Sequence, residues 1–391
     1  MQALCYRGAN SLAVEQVPDP VILNPHDAII RVKLATACGS DLHLLNGYVP
    51  TMEKGDIIGH EFMGEVVETG PEVKKLHSGQ RVVVVSVIGC GQCQFCRSDA
   101  WSLCDNTNPN AWVLEKAYGH SGAGIFGYSH GFGGYAGCHA EYIRVPFADH
   151  GAFPIPDSIS DEKAVFVSDA FPTGYMAADM CAIQPTHTVA VWGCGAVGQM
   201  AIRSARLLGA ARVIAIDRWP ERLRLAKEKS GAYQTINYER HNVYEALQEL
   251  TAGRGPDACI DAVGMEAHGP GVEFYYDKAK QTVRLSTDRP LVLRQMIRCC
   301  RKGGVLSVVG VYGGLIDKFP MGALMNKGLT LHTGQMHGQK YAPRLLEHLA
   351  KGDVDTSDLI THRGPLHQAP HLYQVFKNKT EGCIRPVFEI A

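Results

Sequence analysis

The chain has almost no net charge and no long hydrophobic run, and both absences limit what it can do. Its formal net charge is −1 at pH 7, and no segment is rich in lysine and arginine. Proteins that bind nucleic acids or anionic membrane surfaces usually carry a basic patch, so we expect neither kind of partner. The longest apolar run, 82–89, is far too short to cross a bilayer. We therefore expect no membrane span.

The first residues also lack a basic start followed by an apolar segment, which is the pattern of a secretory signal peptide. Thirteen cysteines in 391 residues could suggest the disulfides of a secreted protein. In a chain of this length, with four cysteines grouped at metal-ligand spacing, reduced thiols in a reducing compartment fit better. We therefore expect a cytoplasmic protein.

Two textures along the chain predict two domains of different class. Up to residue 156, short β-branched runs separated by Gly and Pro predict a β-rich domain. From 157 to 334, six strand-like runs alternate with helical patterns, which predicts a doubly wound parallel sheet. Residues 335–391 add two amphipathic helices and a final strand. The expected fold class is α/β plus β, with two long loops at 106–134 and 265–290 that we expect to be functional or mobile.

Four cysteines stand close together with the spacing C-x2-C-x2-C-x7-C, namely Cys90, Cys93, Cys96 and Cys104. Two-residue gaps let neighbouring thiolates turn onto one centre, and tetrahedral sulfur ligation suits zinc. Four protein ligands leave no open position, so the zinc would be structural. An iron–sulfur cluster, a disulfide or a chance grouping are the alternatives, although the run lacks the Cys-Pro ending of bacterial ferredoxins.

A glycine-rich turn, Gly193, Gly195 and Gly198, follows a buried-type strand and opens a helix. In that context G-x-G-x-x-G predicts a dinucleotide site, because the backbone can approach a pyrophosphate at the helix N-terminus. Asp217 ends the next strand, where its carboxylate can accept from an adenosine-ribose hydroxyl and repel a 2′-phosphate. This favours NAD over NADP, although Arg218 lies beside it. The alternative is a generic α/β turn with a helix-capping Asp.

A second candidate metal site combines Cys38, which follows an extended run, with His60 in Gly-His-Glu. A catalytic zinc takes three protein ligands and keeps one open position. Asp169 is the best third ligand, and Glu61 belongs to the same centre as a neighbouring or alternate ligand. The alternatives are a buried small thiol and a satisfied core histidine.

These motifs together make the chain resemble the zinc-containing medium-chain dehydrogenase/reductase family, the alcohol dehydrogenases. The resemblance rests on Cys38-Gly-Ser-Asp, Gly59-His60-Glu61, the four-cysteine group, the glycine-rich turn and Asp217. Within the family it is most similar to the glutathione-independent formaldehyde dehydrogenase/dismutase branch, through Asp169 with its Pro-Thr-Gly-Tyr setting, the segment that begins at Asp261, and His332-Thr-Gly-Gln. The resemblance implies a GroES-like catalytic domain, 1–156 completed by 335–391, and an NAD-binding Rossmann domain, 157–334.

The resemblance also implies a reaction and the residues that serve it. Hydride would pass between a small alcohol or aldehyde hydrate and NAD, with one catalytic and one structural zinc per chain. Ser40 would bond the substrate oxygen and His43 would relay the proton to solvent. The positions that match NAD contacts in that branch are Val197, Arg222, Val263, His268, Val309, Val311, Gly334 and Gln335. A homo-oligomer, tetramer or dimer, is expected.

Some features depart from the branch or leave other functions open. His268 stands where the branch has arginine, and Pro270 stands where it has histidine. We expect the loop Met265–Pro290 to cover NAD, and a substrate pocket lined by Leu45, Trp112 and Phe126. The alternatives are a polyol or other zinc-dependent dehydrogenase of the same superfamily, and a non-catalytic nucleotide-binding relative.

Overall fold

The computed structural model describes residues 1–265, 267–268 and 288–390, and the chain divides into two compact units. One unit, called the outer unit below, combines Met1–Pro172 with Met336–Ala391. The other, the central unit, is Thr173–Gln335. No helix among the described residues is both long and apolar enough to cross a membrane.

The described residues contain strands and helices that follow the predicted textures. The strands are β1 (Gln2–Gly8), β2 (Ser11–Gln16), β3 (Ala28–Thr36), β4 (Glu61–Thr69), β5 (Arg81–Val84), β6 (Tyr142–Val145), β7 (Ala152–Pro154), β8 (Thr188–Trp192), β9 (Arg212–Asp217), β10 (Gln234–Asn237), β11 (Ala258–Asp261), β12 (Val305–Val308), β13 (Thr330–Thr333), β14 (Ile360–Pro365) and β15 (Arg385–Glu389). The helices are α1 (Gly39–Leu45), α2 (Gln94–Arg97), α3 (Ala111–Tyr118), α4 (Ala148–Gly151), α5 (Asp161–Ala164), α6 (Ala170–Asp179), α7 (Ala196–Leu207), α8 (Pro220–Glu228), α9 (Val243–Leu250), α10 (Leu291–Cys299), α11 (Met321–Asn326), α12 (Gly338–Lys351) and α13 (Ala369–Asn378).

The outer unit is built on a seven-stranded sheet in the order β14-β15-β3-β4-β5-β7, with β6 also paired to β3. Strands β3 and β4 are antiparallel and place Thr36 opposite Glu61. The tail joins this sheet because β15 pairs with the end of β3. One apolar core holds the unit together and includes Phe62, Phe126 and Phe388. The residues that follow β3 and precede β4 are thus brought to the same place.

The central unit contains a six-stranded parallel sheet in the order β10-β9-β8-β11-β12-β13. Its central strand β8 is buried at every position, which is typical of a strand covered on both faces and explains its continuous apolar run. The strand order reverses between β8 and β11, which in doubly wound sheets is the place where ligands bind. The predicted fold class is confirmed.

The segment 106–134, expected as a long loop, is more ordered than predicted. It contains α3 and a short 3-10 helix, His130–Phe132. The amide of Asn108 donates to the carbonyl of Gly131 at 2.9 Å, and that of Asn110 donates to the carbonyl of His130 at 2.9 Å. Side-chain amides therefore close the segment on itself, and a helix of eight residues leaves little periodicity for a sequence to reveal.

Candidate metal centres and nucleotide site

The candidate catalytic centre lies in the outer unit, where strands β3 and β4 meet. Cys38 is the residue immediately before α1, Glu61 is the first residue of β4, and His60 directly precedes that strand. The antiparallel register brings these segments together, so one ligand atom each from Cys38, His60 and Glu61 lies within 4.8 Å of the others. All three side chains are buried. A thiol, an imidazole and a carboxyl in one buried place are the donor types that zinc prefers.

Asp169, the predicted third ligand, also reaches this centre. Its Oδ2 lies 4.0 Å from His60 Nε2 and accepts a hydrogen bond from Ser86 Oγ at 2.6 Å. Ser40 Oγ lies 3.3 Å from the same His60 nitrogen. The structure thus brings Cys38, Glu61 and Asp169 close to His60, together with Ser40. Which carboxylate takes the third position, Asp169 or Glu61, stays a prediction.

Behind His60, a buried chain of polar groups fixes the ring. Its Nδ1 lies 3.1 Å from Asp41 Oδ1, and Asp41 Oδ2 accepts from the Cys38 backbone N–H at 2.7 Å. Tyr373, from the tail helix α13, donates its hydroxyl to the same Oδ2 at 2.8 Å and lies 3.3 Å from His139 Nδ1. With Nδ1 facing a carboxylate, Nε2 is left for a metal, which is the usual arrangement of a metal-binding histidine.

Charges around the centre move the pKa values of its groups. Burial alone would lower the pKa of His60, but the Asp41 carboxylate beside it raises that pKa well above the usual value. Burial would raise the pKa of Asp41, yet the facing His60 lowers it to about 2. Burial lowers the pKa of His139 to about 4, so that imidazole is neutral near pH 7. A metal ion at His60 would therefore replace a proton there.

Arg385, which sequence reasoning missed, supplies a buried positive charge to the same centre. Its Nη2 lies 3.0 Å from Glu61 Oε1 and 3.9 Å from Cys38 Sγ. Burial alone would raise the pKa of the Cys38 thiol, but Arg385 and His60 outweigh it and lower that pKa to about 7. Glu61 Oε2 is buried and has no hydrogen-bond partner among the described residues. A thiolate and an unsatisfied carboxyl oxygen fit a site built for a cation.

The four-cysteine group forms a second compact cluster, with all four sulfurs within 4.8 Å of one another. The Sγ–Sγ distances are 4.0 Å for Cys90–Cys96 and 3.9 Å for Cys93–Cys104. A tetrahedron with Zn–S bonds of about 2.3 Å has edges of about 3.8 Å, so the sulfurs fit zinc closely. Gly91 turns the chain at a φ of 73°. The backbone N–H groups of Gln92 and Cys93 each point at Cys90 Sγ from 3.4 Å.

In the central unit, the glycine-rich turn has the geometry that its spacing predicts. Gly193 has a φ of 87°, and a Cβ on Gly198 would lie 1.8 Å from the Gly193 carbonyl oxygen. These two glycines are therefore required by the turn and by close packing of α7 on β8. A Cβ on Gly195 would meet nothing closer than the Arg222 guanidinium at 3.6 Å. That open side, at the N-terminus of α7, fits a bound anion such as a pyrophosphate.

Asp217 ends β9 beside the glycine-rich turn and is nearly fully buried. Its Oδ2 accepts from Cys194 N at 2.7 Å, and its Oδ1 accepts from Arg218 N at 2.6 Å and Trp219 N at 3.1 Å. Two carboxylate oxygens offer about four acceptor positions, so one remains for a ribose hydroxyl.

The other predicted cofactor residues lie at the carboxyl edge of the same sheet. Val263 follows β11, and Val309 and Val311 follow β12. Gly334 and Gln335 follow β13, and Val197 is in the first turn of α7. Five of these residues are partly buried, namely Val197, Arg222, Val263, Val309 and Val311. The other three, His268, Gly334 and Gln335, are exposed. Their cofactor contacts stay predictions. Most of the loop 265–290, and with it the prediction that it covers NAD, lies outside the described residues.

Two of the three expected pocket residues lie elsewhere. Leu45 and Phe126 are both 1 % exposed and belong to the core of the outer unit, so the expectation that they line a substrate pocket is wrong. Trp112 is 58 % exposed on α3. Sequence reasoning missed Tyr128, whose ring meets that of His60 edge-on with centroids 6.3 Å apart. Its only signal was its place in the Gly- and Tyr-rich segment.

Comparison with known proteins agrees with this arrangement. Residues 24–157 match the family described as "Alcohol dehydrogenase GroES-like domain", and residues 196–280 match the family described as "Zinc-binding dehydrogenase". An uncharacterized zinc-type alcohol dehydrogenase-like protein, AdhB of Bacillus subtilis, is 40 % identical over 100 % of both chains. A glutathione-independent formaldehyde dehydrogenase of Pseudomonas aeruginosa is 30 % identical, over 92 % of this chain and 90 % of the relative.

Among solved structures, an alcohol dehydrogenase from Thermus sp. ATN1 superposes with a TM-score of 0.83 at 33 % identity, over 100 % of both chains. Both matched family regions cover a site described above: the first includes Cys38, His60 and the four cysteines, and the second begins in the glycine-rich turn. Buried zinc-type donors in the outer unit, a doubly wound sheet in the central unit and full-length relatives lead to one conclusion. The chain belongs to the zinc-containing alcohol dehydrogenase family of medium-chain dehydrogenases/reductases and is an oxidoreductase of that type.

Proposed function

We propose that the chain transfers hydride between a small alcohol, or the hydrate of a small aldehyde, and NAD⁺. The alcohol loses a hydride to the nicotinamide and a proton to solvent, leaving an aldehyde or ketone. The observation that carries this proposal is the buried group of Cys38, His60 and Glu61, whose ligand atoms lie within 4.8 Å, with Asp169 beside His60. A non-catalytic relative would have no use for such a group.

Zinc bound at this group would act as a Lewis acid toward the substrate oxygen and lower the pKa of the substrate hydroxyl. The chain's own residues would then handle the proton. Ser40 Oγ, 3.3 Å from His60 Nε2, is placed to hydrogen-bond a substrate hydroxyl at this centre. His43 follows one helical turn later on α1 and is the candidate to pass the proton on. The other cysteine group would hold a second, structural zinc.

NAD is preferred over NADP in this proposal because of the charges around the end of β9. The Asp217 carboxylate would repel a 2′-phosphate. The neighbouring Arg218, which could attract one, lies 3.3 Å from Glu239 Oε1 and stacks over Trp219 with its guanidinium 4.7 Å from the ring centroid. Its positive charge is therefore already partly balanced.

The substrate class we propose includes formaldehyde and other short aldehydes. Support comes from the 30 % identity to a glutathione-independent formaldehyde dehydrogenase and from Asp169 beside the metal-type group. In that reaction an aldehyde hydrate loses a hydride to NAD⁺ and a proton to solvent, and becomes a carboxylic acid. A second aldehyde could then take the hydride back from NADH together with a proton and leave as the alcohol, and the sum of the two steps is a dismutation.

The experiment that tests the function measures metal content and turnover on the same purified protein. We expect two zinc ions per chain and formation of NADH from a panel of short alcohols and aldehydes, with NADP⁺ much less effective. Cys38→Ala is expected to lose turnover and one zinc ion while it still binds dinucleotide. The control is Cys5→Ala, which removes a buried thiol outside both metal-type groups and should keep turnover, both zinc ions and dinucleotide binding. A protein that binds dinucleotide but turns over no member of the panel would support a non-catalytic role.

A homo-oligomer, a dimer or tetramer, is also part of the proposal. Strand β13 pairs only with β12 among the described residues, and all four of its residues are exposed. An exposed edge strand offers free backbone groups to a second copy. Nearby, Met321 and Met325 on α11 are 56 % and 66 % exposed. Leu331→Asp should shift sedimentation toward the monomer, whereas Leu103→Asp, on an exposed site of the outer unit, should not.

We assign the chain to the cytoplasm because its cysteines are unpaired. All thirteen are free thiols, and twelve of them are buried. Free thiols at this number, with two metal-type groups among them, suit a reducing compartment. Thiol titration of the protein in denaturant without reductant should find no disulfide.

A further inference from the structure

Asp261 is a buried carboxyl group that the proposed reaction leaves unused. It is the last residue of β11 and is 0 % exposed. Its Oδ1 accepts from the backbone N–H groups of Val263 at 2.8 Å and Gly264 at 2.9 Å, and its Oδ2 accepts from the Tyr312 hydroxyl at 2.8 Å. All three donors are neutral. In the part of the chain that the structure describes, no lysine, arginine or histidine forms an ion pair with it.

A buried carboxylate without a positive partner is unusual because burial penalises its charge. Burial raises the pKa of Asp261, and the three hydrogen bonds offset that rise only in part. Hydrogen bonds of this kind favour the ionised form, since each donates to a carboxylate oxygen. Uncompensated buried charges concentrate at functional sites, which raises the question of what positive group approaches this one.

The topology of the central unit indicates the answer. The strand order reverses between β8 and β11, and a dinucleotide lies across the carboxyl edge of such a sheet at the reversal. Asp217, at the end of β9, marks the adenosine side of that edge. The nicotinamide half therefore belongs to the side of β11 and β12, where Asp261 ends its strand. In its oxidised form the nicotinamide ring carries a positive charge, and in its reduced form the ring is neutral.

The two loops around Asp261 are held rigidly against each other. The loops after β11 and β12 touch backbone to backbone, since Met265 N donates to Val311 O at 2.8 Å and a Cβ on Gly310 would lie 2.3 Å from Gly264 N. Asp261 links the two loops, because it accepts hydrogen bonds from Gly264 N in the first loop and from the Tyr312 hydroxyl in the second. The loops thus form one rigid floor, with Val263 and Val311 in it.

The other charges near this floor do not cancel Asp261. Besides Asp261, the charges that act on Tyr312 are those of Asp288 and Arg294. Asp288 adds negative charge and accepts from Gly313 N at 2.9 Å. Arg294 donates to the Asp317 carbonyl at 3.0 Å and lies 3.5 Å from the Asp317 carboxylate, so its charge is shared with that group.

We propose that Asp261 is a buried countercharge that makes the site favour the oxidised nicotinamide over the reduced one. This inference rests on the proposed dinucleotide function and specifies which redox state of the cofactor the protein stabilises. Asp261 acts through the field beneath the ring and touches no reacting atom, so it is a positioning residue. An interaction between unit charges across a few ångströms of protein is worth about 10-fold in affinity, even with strong dielectric screening.

The test measures the dissociation constants of NAD⁺ and NADH for the full-length zinc-loaded protein and two variants. Asp261→Asn keeps an acceptor oxygen for Val263 N and Gly264 N, and its amide can donate to the Tyr312 oxygen, so mainly the charge is removed. We expect NAD⁺ to bind about 10-fold more weakly and NADH to bind unchanged. Tyr312→Phe keeps the Asp261 carboxylate but removes the hydrogen bond that ties the second loop to it. The affinities for NAD⁺ and NADH should therefore fall by the same factor.

The outcomes separate this inference from the function on which it rests. If Asp261→Asn weakens both forms equally, or neither, Asp261 has only a structural role or is neutral, and the inference is overturned. If the unaltered protein binds neither form, the proposed function fails first. If Asp261→Asn does not fold, as judged by circular dichroism, Asp261→Ser supplies the same comparison of the two constants without the charge.

Discussion

Single residues that contact the candidate metal ligands determine the orientation and charge of those ligands. His60 is held by Asp41, and Asp41 is held by Tyr373 and by the Cys38 backbone. Both hydrogen bonds reach Asp41 Oδ2, while Oδ1 faces His60 Nδ1 at 3.1 Å, so the carboxylate is held in place and in turn orients the imidazole. Arg385 acts in a similar way on the other side, where it approaches Glu61 and Cys38 together.

Tyr373→Phe is expected to weaken zinc binding at the His60 centre by about 10-fold, because Asp41 loses its only hydroxyl donor in the described structure. The measurement is the rate at which a chelator removes one of the two zinc ions. Tyr135→Phe, which removes a hydroxyl bonded to Thr107 O away from this centre, is the matched control. Equal release rates for the two variants would contradict the role of Tyr373.

Asp217→Asn is expected to reduce the preference for NAD⁺ over NADP⁺ by about 10-fold or more, because the neutral amide no longer repels a 2′-phosphate. The ratio of kcat/KM for the two cofactors measures the effect. Glu228→Gln, an exposed change at the end of α8, is the control for a general loss of negative charge. An unchanged ratio in Asp217→Asn would remove this residue from cofactor selection.

At the scale of elements, close backbone approach and strand pairing position the sites. The G-x-G-x-x-G turn packs α7 against β8 so tightly that only glycine fits at Gly198. In the outer unit, the pairing of β3 with β4 brings the residues after one strand to those before the other. Elements of this kind transmit small changes directly to the sites they carry.

Gly198→Ala is expected to abolish dinucleotide binding and to lower the melting temperature, since its Cβ would lie 1.8 Å from the Gly193 carbonyl oxygen and must push α7 off the sheet. Gly322→Ala, in the first turn of α11, places a Cβ with nothing within 4 Å and should leave both properties unchanged. Binding is followed by titration with NADH. Tight binding by Gly198→Ala would mean that the turn is wider than described.

Asp257, directly before β11, contacts β8 and the segment after α10 in the central unit. We expect these contacts to make the stability of the protein sensitive to acid. Asp257 accepts from Thr188 N on β8 at 2.8 Å and lies 2.6 Å from Arg301 Nε beyond α10. Burial alone would raise its pKa, but these partners outweigh it and lower the pKa. Because the folded-state pKa is the lower one, the stabilisation is present above the unfolded pKa of about 4 and is lost as the pH falls through the folded value.

Asp257→Asn should therefore melt at a lower temperature than the unaltered protein at pH 7, and the difference should shrink as the pH is lowered below about 4. Calorimetric or circular-dichroism melts across that range measure it. Asp157→Asn, at an exposed position of the outer unit, should show no pH-dependent difference. A gap for Asp257→Asn that stays constant with pH would contradict this assignment.

At the scale of the whole molecule, we propose separate roles for the four-cysteine group and the metal-type centre. The cysteine cluster packs with Trp101, Ile125 and Met336, so it joins the 85–125 region to the start of the tail. Gln339, on α12, donates to the Val87 carbonyl at 2.6 Å and strengthens the same connection. A zinc ion bound by the four sulfurs would stabilise this connection within the outer unit.

Cys96→Ser is expected to lose one zinc and to lower the melting temperature by several degrees, because a structural zinc contributes directly to folding. Dinucleotide binding by the central unit should persist. Cys181→Ser, a buried thiol of the central unit outside both groups, is the control for loss of a buried sulfur. Full thermal stability with lost activity in Cys96→Ser would reverse the assignment of the two metal sites.

Much of this organisation could be predicted from the sequence because the relevant signals are local. The spacing of Cys90, Cys93, Cys96 and Cys104, the glycine turn and the alternation of strands and helices each depend on neighbouring residues. The structure confirms the doubly wound sheet with all six predicted strands. Asp41 also lay within reach of sequence reasoning, three residues after Cys38, although it was not singled out.

Other features could not be predicted because they join residues distant in the chain. Arg385 meets Glu61, and Tyr373 meets Asp41, across more than 300 positions. Leu45 and Phe126 looked like pocket residues by their loop setting, yet packing placed them in the core. Burial and pairing of this kind depend on how sheets close, which no local pattern records.

Residue types at short spacing were enough to predict the fold class, the candidate donors of two zinc sites and the glycine-rich nucleotide turn. Tertiary structure alone decided which charges surround those donors. It placed Arg385 beside Cys38 and, among the described residues, surrounded the buried Asp261 with neutral donors. The energetic effect of a charged group depends on its partners and on its burial. Both are set by how the chain folds and not by the neighbouring residues in the sequence.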